Sequence, residues 1–254
     1  MDWLDLIAAA LECDWPIGLP FLPREHGSGS SGLILLRLNE PAVHPNEKSE
    51  LFLNQGSPSG MVLETQRLVL RQLTLKDTDG LLPVLGDPEA MIYYPHPFSR
   101  DEVESFIDKQ ITRYAETGHG LWAVILKSTG EVIGDCGLAL QDVEDRKEIE
   151  VGYHLRRDHW HNGYATEAAR ACIRHGFYKL RARQVICMIR PENRPSRRVA
   201  ERNNMTMGRL VFWHGFNHLI YSISRAEWFE TFRRKRESVQ RRAEDDEKDL
   251  LTYL

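Results

Sequence analysis

The run His159-Trp160-His161-Asn162-Gly163-Tyr164-Ala165-Thr166 has the residue types of a phosphate cradle, a polar turn that reaches a glycine and then small side chains. The first N–H groups of a helix are unpaired and carry roughly half a positive charge, and a glycine there lets a pyrophosphate approach the backbone. Two patterns flank the turn. Ile149, Val151, Tyr153 and Leu155 alternate as in a strand, whereas Ala165, Ala168, Ala169, Cys172, Ile173, Gly176, Phe177 and Leu180 form the stripe of an amphipathic helix. The period changes at Gly163. A lone Gly-Tyr-Ala start also serves close packing of a helix on a sheet, so further residues must decide.

The elements that would position this turn follow from the same patterns. The spacing predicts strand 62–72, helices near 75–85 and 99–117, and strands near 121–127, 132–140 and 147–156. Helix 163–181, strand 183–190, helix 193–204 and strands near 207–213 and 218–224 complete the core. Lys127-Ser128-Thr129-Gly130-Glu131 reads as a hairpin connection. Strands that are first antiparallel and then joined through a helix imply a mixed α/β sheet.

Four matches in order carry a family resemblance. They are Leu63-Glu64-Thr65-Gln66-Arg67-Leu68-Val69-Leu70-Arg71, Glu150-Val151-Gly152-Tyr153, the turn at Gly163, and Asn193-Arg194-Pro195-Ser196-Arg197-Arg198-Val199-Ala200-Glu201-Arg202. Over about 62–228 the chain resembles the GNAT-superfamily N-acetyltransferases, and more narrowly the branch of the ribosomal-protein-alanine acetyltransferases. Gly163 and Ala165 fill the small positions of that family's loop, Trp160 stands where Gln or Arg is usual, and His161-Asn162 replaces a Gly-Lys pair.

The resemblance implies a GNAT fold, an α/β mixed sheet whose central helix carries the CoA pyrophosphate loop, and a reaction that moves the acetyl group of acetyl-CoA to a primary amine. It implies that His161, Asn162, Gly163, Tyr164, Ala165 and Thr166 hold the pyrophosphate. Tyr153, His154 and Leu155 would offer a free strand edge to pantetheine, and Gly152 fits a bulge or a close ligand approach. Asn193 would bond the pantetheine arm, although as a bare residue it is equally a good helix cap. Glu150 is the candidate to deprotonate the amine, with Glu148 as its neighbour and a solvent-facing strand residue as the alternative reading. Ser196 is the candidate proton donor to the thiolate, because Ala200 occupies the position where many relatives carry a Tyr. Tyr221 is expected in the core or lining the pocket. The acceptor is a protein N-terminal α-amine or a small-molecule amine, and a non-catalytic acyl-CoA-binding regulatory module is the alternative.

Composition sets the outer bounds. The chain has 254 residues, 42% hydrophobic and 28% charged, with a net charge of −4. That balance argues against a nucleic-acid partner, no segment has the ~18 consecutive apolar residues of a membrane span, and a homodimer is allowed. The start Met1-Asp2-Trp3-Leu4-Asp5 lacks the basic region of a signal peptide, so the cytoplasm is the expected compartment. Cys13, Cys136, Cys172 and Cys187 never form Cys-x-x-Cys and read as small buried hydrophobes. His159 and His161 find no second cluster, so no metal is expected. Residues 1–60 read as a poorly ordered extension with a short amphipathic helix over 2–13 and a Gly/Ser linker, or as a docking arm. Residues 61–228 read as the N-acetyltransferase domain, and 229–254 as a charged helical tail.

Overall fold

The computed structural model describes residues 60–231, 233 and 234. The expected extension up to residue 59 and most of the charged tail lie outside the described residues.

An eight-stranded sheet organises the chain, in the order β1-β2-β3-β4-β5-β6-β8-β7. Its strands are β1 (Met61–Glu64), β2 (Leu68–Arg71), β3 (Leu121–Leu126), β4 (Val132–Val143), β5 (Arg146–Leu155), β6 (Gln184–Ile189), β7 (Thr206–Trp213) and β8 (Phe216–Ser224). The helices are α1 (Thr78–Leu85), α2 (Arg100–Thr117), α3 (Tyr164–Tyr178) and α4 (Arg194–Arg202). Every neighbouring pair is antiparallel except β5 with β6, which α3 connects. A parallel neighbour requires such a crossover.

Period-two alternation sends the side chains of each strand to two different layers. Trp122, Cys136, Leu138, Val151 and Leu155 pack with Ala168, Ala169, Cys172, Ile173 and Phe177 of α3. Ala123, on the opposite face of β3, packs instead with Leu81, Val84 and Leu85 of α1 and Val103 and Ile107 of α2. Each helix start has a local cause. Ser99 and Glu102 form a reciprocal capping box for α2, and Gly118 at φ +76° ends it. Gly163 at φ +81° caps α3, whose four alanines favour helix and permit close approach to the sheet.

The structure corrects two of the expected elements. The stretch expected as one strand over 62–72 is two strands, because β1 folds back on β2 through a turn in which the Thr65 hydroxyl accepts from the Leu68 N–H. β4 runs further than expected, to Val143, and meets β5 at Glu144-Asp145, both at positive φ, the geometry of a two-residue hairpin turn. The polar pair Gln141-Asp142 hid this end of β4 from the hydrophobic pattern.

Candidate active site at the parting of two strands

β5 and β6 share only the Glu150–Ile186 register pair. Beyond it, the β6-facing edge of residues 152–155 has no strand partner among the described residues, while their other edge pairs with β4 from Gly134 to Gly137. The Glu150 carboxylate sits where the strands part. One oxygen accepts the Met188 N–H at 3.2 Å and the other accepts the Gln141 amide at 2.9 Å. Burial raises the Glu150 pKa against those bonds and the pull of Arg113 and His154. The side chain is half-buried, with both oxygens bonded within the sheet. The β4–β5 ladder runs without a register shift through Gly152, so no bulge occurs there against β4. A side chain at Gly152 would instead press on Leu121 at 3.3 Å.

The turn before α3 is built largely from backbone. The Trp160 indole N–H donates to the Leu155 carbonyl at 2.7 Å, and the Asn162 amide donates to the carbonyls of His159 and Trp160. His161 and Gly163 both have positive φ. A Cβ at Gly163 would meet only the Arg67 guanidinium, at 3.5 Å, so backbone conformation rather than crowding demands glycine. Tyr164 and Ala165 pack against the core, and the Thr166 hydroxyl is shielded with no hydrogen-bond partner among the described residues. That orphaned hydroxyl, in the first turn of α3, fits a site that expects an oxygen-rich ligand.

A cation reaches this turn from the β1–β2 connection. Arg67 donates to the Asn162 carbonyl at 2.9 Å, lies over the Tyr164 ring at 4.5 Å, and pairs with Glu167 at 2.7 Å. Partial burial works to raise the Glu167 carboxyl, but bonds from Thr65, the Arg67 backbone and its guanidinium hold it below the usual range. Arg67 thus braces the turn. The sequence turn itself carries no lysine or arginine, and nothing in its spacing pointed to residue 67.

Across the parting, α4 begins at Asn193, whose side-chain oxygen accepts the Ser196 N–H at 3.1 Å. The Tyr153 hydroxyl donates to the Ser196 carbonyl at 2.9 Å, tying β5 to α4. Asn193 serves as the cap that its residue type suggested, which leaves its amide group for any ligand. Tyr221 is buried, donating to Glu201 and accepting from Arg197.

On the other face of β5, the His154 side chain links Asp135 of β4 to Tyr94. Its Nδ1 lies 2.9 Å from a carboxylate oxygen of the fully buried Asp135, and its Nε2 lies 2.5 Å from the Tyr94 hydroxyl. Burial alone would lower the His154 pKa, yet Asp135 and Tyr94 raise it well above the usual imidazole value. The pair with Asp135 favours the protonated ring, and each ring nitrogen faces one oxygen partner. One signal was available: Asp135 is the single charge within the otherwise apolar run Val132–Leu140.

A family model described as "Acetyltransferase (GNAT) domain" matches residues 67–206. The chain belongs to the GNAT acetyltransferase family. It is 35% identical over 150 residues to the uncharacterized protein YkkB of Bacillus subtilis, covering 59% of this chain and 87% of that one. It is 36% identical over 140 residues to the uncharacterized N-acetyltransferase p20 of Bacillus licheniformis, covering 53% and 76%. Among solved structures, an acetyltransferase from Agrobacterium tumefaciens superposes with a TM-score of 0.57 at 27% identity, covering 68% of this chain and 98% of that one. Two others share the fold at lower identity. They are a putative ribosomal-protein-serine acetyltransferase from Vibrio cholerae, with a TM-score of 0.55 at 23% identity over 63% and 95% of the chains, and the microcin C7 self immunity acetyltransferase MccE in complex with acetyl-CoA and AMP, with a TM-score of 0.54 at 16% identity over 66% and 97%.

The GNAT fold brings the expected residues together in two groups. His161, Asn162, Gly163, Tyr164, Ala165 and Thr166 form the turn and the first turn of α3, while Glu150, Tyr153, His154, Leu155, Asn193 and Ser196 surround the parting of β5 and β6. Reasoning from sequence missed Arg67, Asp135 and the side chain of His154.

Proposed function

We propose that this GNAT acetyltransferase moves the acetyl group of acetyl-CoA to a primary amine, with an α-amine as the favoured acceptor. The observation that carries the reading is the Glu150 carboxylate at the start of an unpaired strand edge that leads to the α3 turn. Residues 161–166 would hold the pyrophosphate through N–H groups and the Thr166 hydroxyl, and residues 153–155 would pair with pantetheine. Glu150 takes the amine proton directly or through water, and Ser196 supplies one to the sulfur. Residues 61–228 constitute the catalytic unit.

Energetics favour the α-amine. Freeing a lysine amine at pH 7 costs ~4.6 kcal/mol, whereas an α-amine costs only ~1 kcal/mol. A carboxylate whose pKa is raised by burial is also a better match to such an amine than an ordinary one. Glu150→Gln and Ser196→Ala should each lower turnover roughly ten- to a thousandfold with acetyl-CoA affinity nearly intact, read as free-thiol release and calorimetric binding.

A second reading has its own support. Both Glu150 oxygens are already bonded within the sheet, as a strut would be. An acyl-CoA-binding module without transfer would bind acetyl-CoA calorimetrically and release no thiol with any member of an amine panel.

A further inference from the structure

We propose that Tyr94, held by His154 and Asp135, binds an oxygen of the acceptor next to its amine, so that this site selects α-amino carbonyl compounds such as peptide N-termini over simple amines. This inference rests on the acetyl-transfer reading above and specifies its acceptor.

On β5, Glu150, Gly152 and His154 alternate onto one face, so a carboxylate and an imidazole stand four residues apart, about 13 Å along the strand, with only a glycine of β5 between them. Leu121 leans against Gly152 and gives this interval an apolar floor. In length the interval matches a relay water, an amine and the oxygen beside it. Its polarity is also right, since the carboxylate end suits the amine and the cationic end suits a carbonyl or carboxylate oxygen.

Tyr94 is placed to make that second contact. Its ring is 43% exposed, unlike Asp135 beneath, so a ligand can reach it. His154 Nε2 holds the phenol oxygen at 2.5 Å while Nδ1 faces Asp135, so the phenol is fixed in position and its outer side stays open to a ligand. The adjoining Tyr93 donates to the Glu192 carbonyl at 3.2 Å and accepts from Arg190 at 3.4 Å, so the Tyr93-Tyr94 turn is fastened to β5 on one side and to the end of β6 on the other. It spans the mouth of the parting. The charged and titratable groups around the chain are Asp135 from β4, Glu150 on β5, Tyr114 of α2, which feels Asp135, and Arg113 of α2, which feels Glu150. Tyr94 touches the acceptor, whereas His154 and Asp135 act through it as positioning residues. A buried ion pair beneath one exposed phenol adds little net stability, but it fixes the orientation of a donor.

The test compares alaninamide with 2,2-difluoroethylamine, a weakly basic amine with no carbonyl. The full-length protein should prefer alaninamide at least tenfold in kcat/KM. Tyr94→Phe should raise KM for alaninamide about tenfold with kcat little changed and remove most of that preference, and His154→Gln should act in the same direction. In a second measurement on the CoA-bound, unreactive protein, adding alaninamide should move the 15N resonance of His154 Nε2 in the parent and not in Tyr94→Phe. Equal use of both amines by the parent, or an equal loss with both in Tyr94→Phe, would overturn the proposal while leaving acetyl transfer standing. Transfer to neither amine, with no movement of the His154 resonance, would overturn this acceptor assignment, and thiol release with a lysine side chain alone would then redirect the α-amine reading.

Discussion

His154 and His175 occupy opposite faces of the same sheet, and their proton affinities move in opposite directions. His175 lies on α3 with its ring edge-on to Trp122 at 5.4 Å, where burial, with help from Lys179 and His119, pushes its pKa down to about 4. Burial acts on His154 in the same sense, but Asp135 beneath it and Tyr94 above it reverse the outcome. The difference is one of partners, not of depth. The α3 face is a dry support in which even the Trp122 indole N–H finds no partner among the described residues, whereas the other face keeps an organised charge next to the mouth between β5 and β6.

Removing the charge partner should break this contrast with the largest effect. Asp135→Asn leaves a buried imidazolium uncompensated and should cost about 3 to 5 kcal/mol at pH 6 in urea unfolding. Its sign with pH is fixed. Because the folded pKa of His154 lies above the unfolded value of 6.5, its contribution is full below that value and is lost as pH rises through the folded one. His154→Gln should flatten that alkaline decline.

The acid limb belongs to His175. With a folded pKa of about 4 against 6.5 unfolded, its contribution is full above 6.5 and disappears as pH falls through 4, on the order of 3 kcal/mol. His175→Leu should remove that part of the acid loss, and a pH series of unfolding midpoints for both histidine variants would show whether the two limbs separate as the two faces do.

Substitutions in the turn before α3 should leave both limbs alone and have smaller effects. Gly163→Ala places a Cβ at φ +81° in ordinary contact with the Arg67 guanidinium alone, at 3.5 Å, so strain should cost about 1 to 2 kcal/mol. Gly163→Val should also weaken acetyl-CoA binding at least tenfold, about 1.4 kcal/mol by calorimetry. Smallest of all is Arg67→Ala. Its half-exposed pair with Glu167 should contribute within about 1 kcal/mol, and the loss should shrink in high salt.

The parts of the site that were legible in the sequence share a local origin. The change of period at Gly163, the alternation around Glu150 and the cap at Asn193 each arise within a few residues of chain. The same holds for the order of the strands and helices, because hydrophobic period reports which face an element buries. The single-strand reading of 62–72 failed because a tight turn bonded through Thr65 leaves no glycine or proline to mark it.

Sequence alone therefore determined the family, the α/β order and the glycine turn that opens α3, since these depend on spacing along the chain. Tertiary structure decided the rest. Arg67 meets Glu167 across a hundred residues, Glu150 meets the Met188 N–H only because β6 arrives alongside β5 and then departs, and Tyr94, His154 and Asp135 come from a loop and two strands. No periodicity encodes such meetings. A charge held in place by groups from three elements exists only after the sheet has closed beneath it, because only then is water removed and each partner fixed at hydrogen-bonding distance.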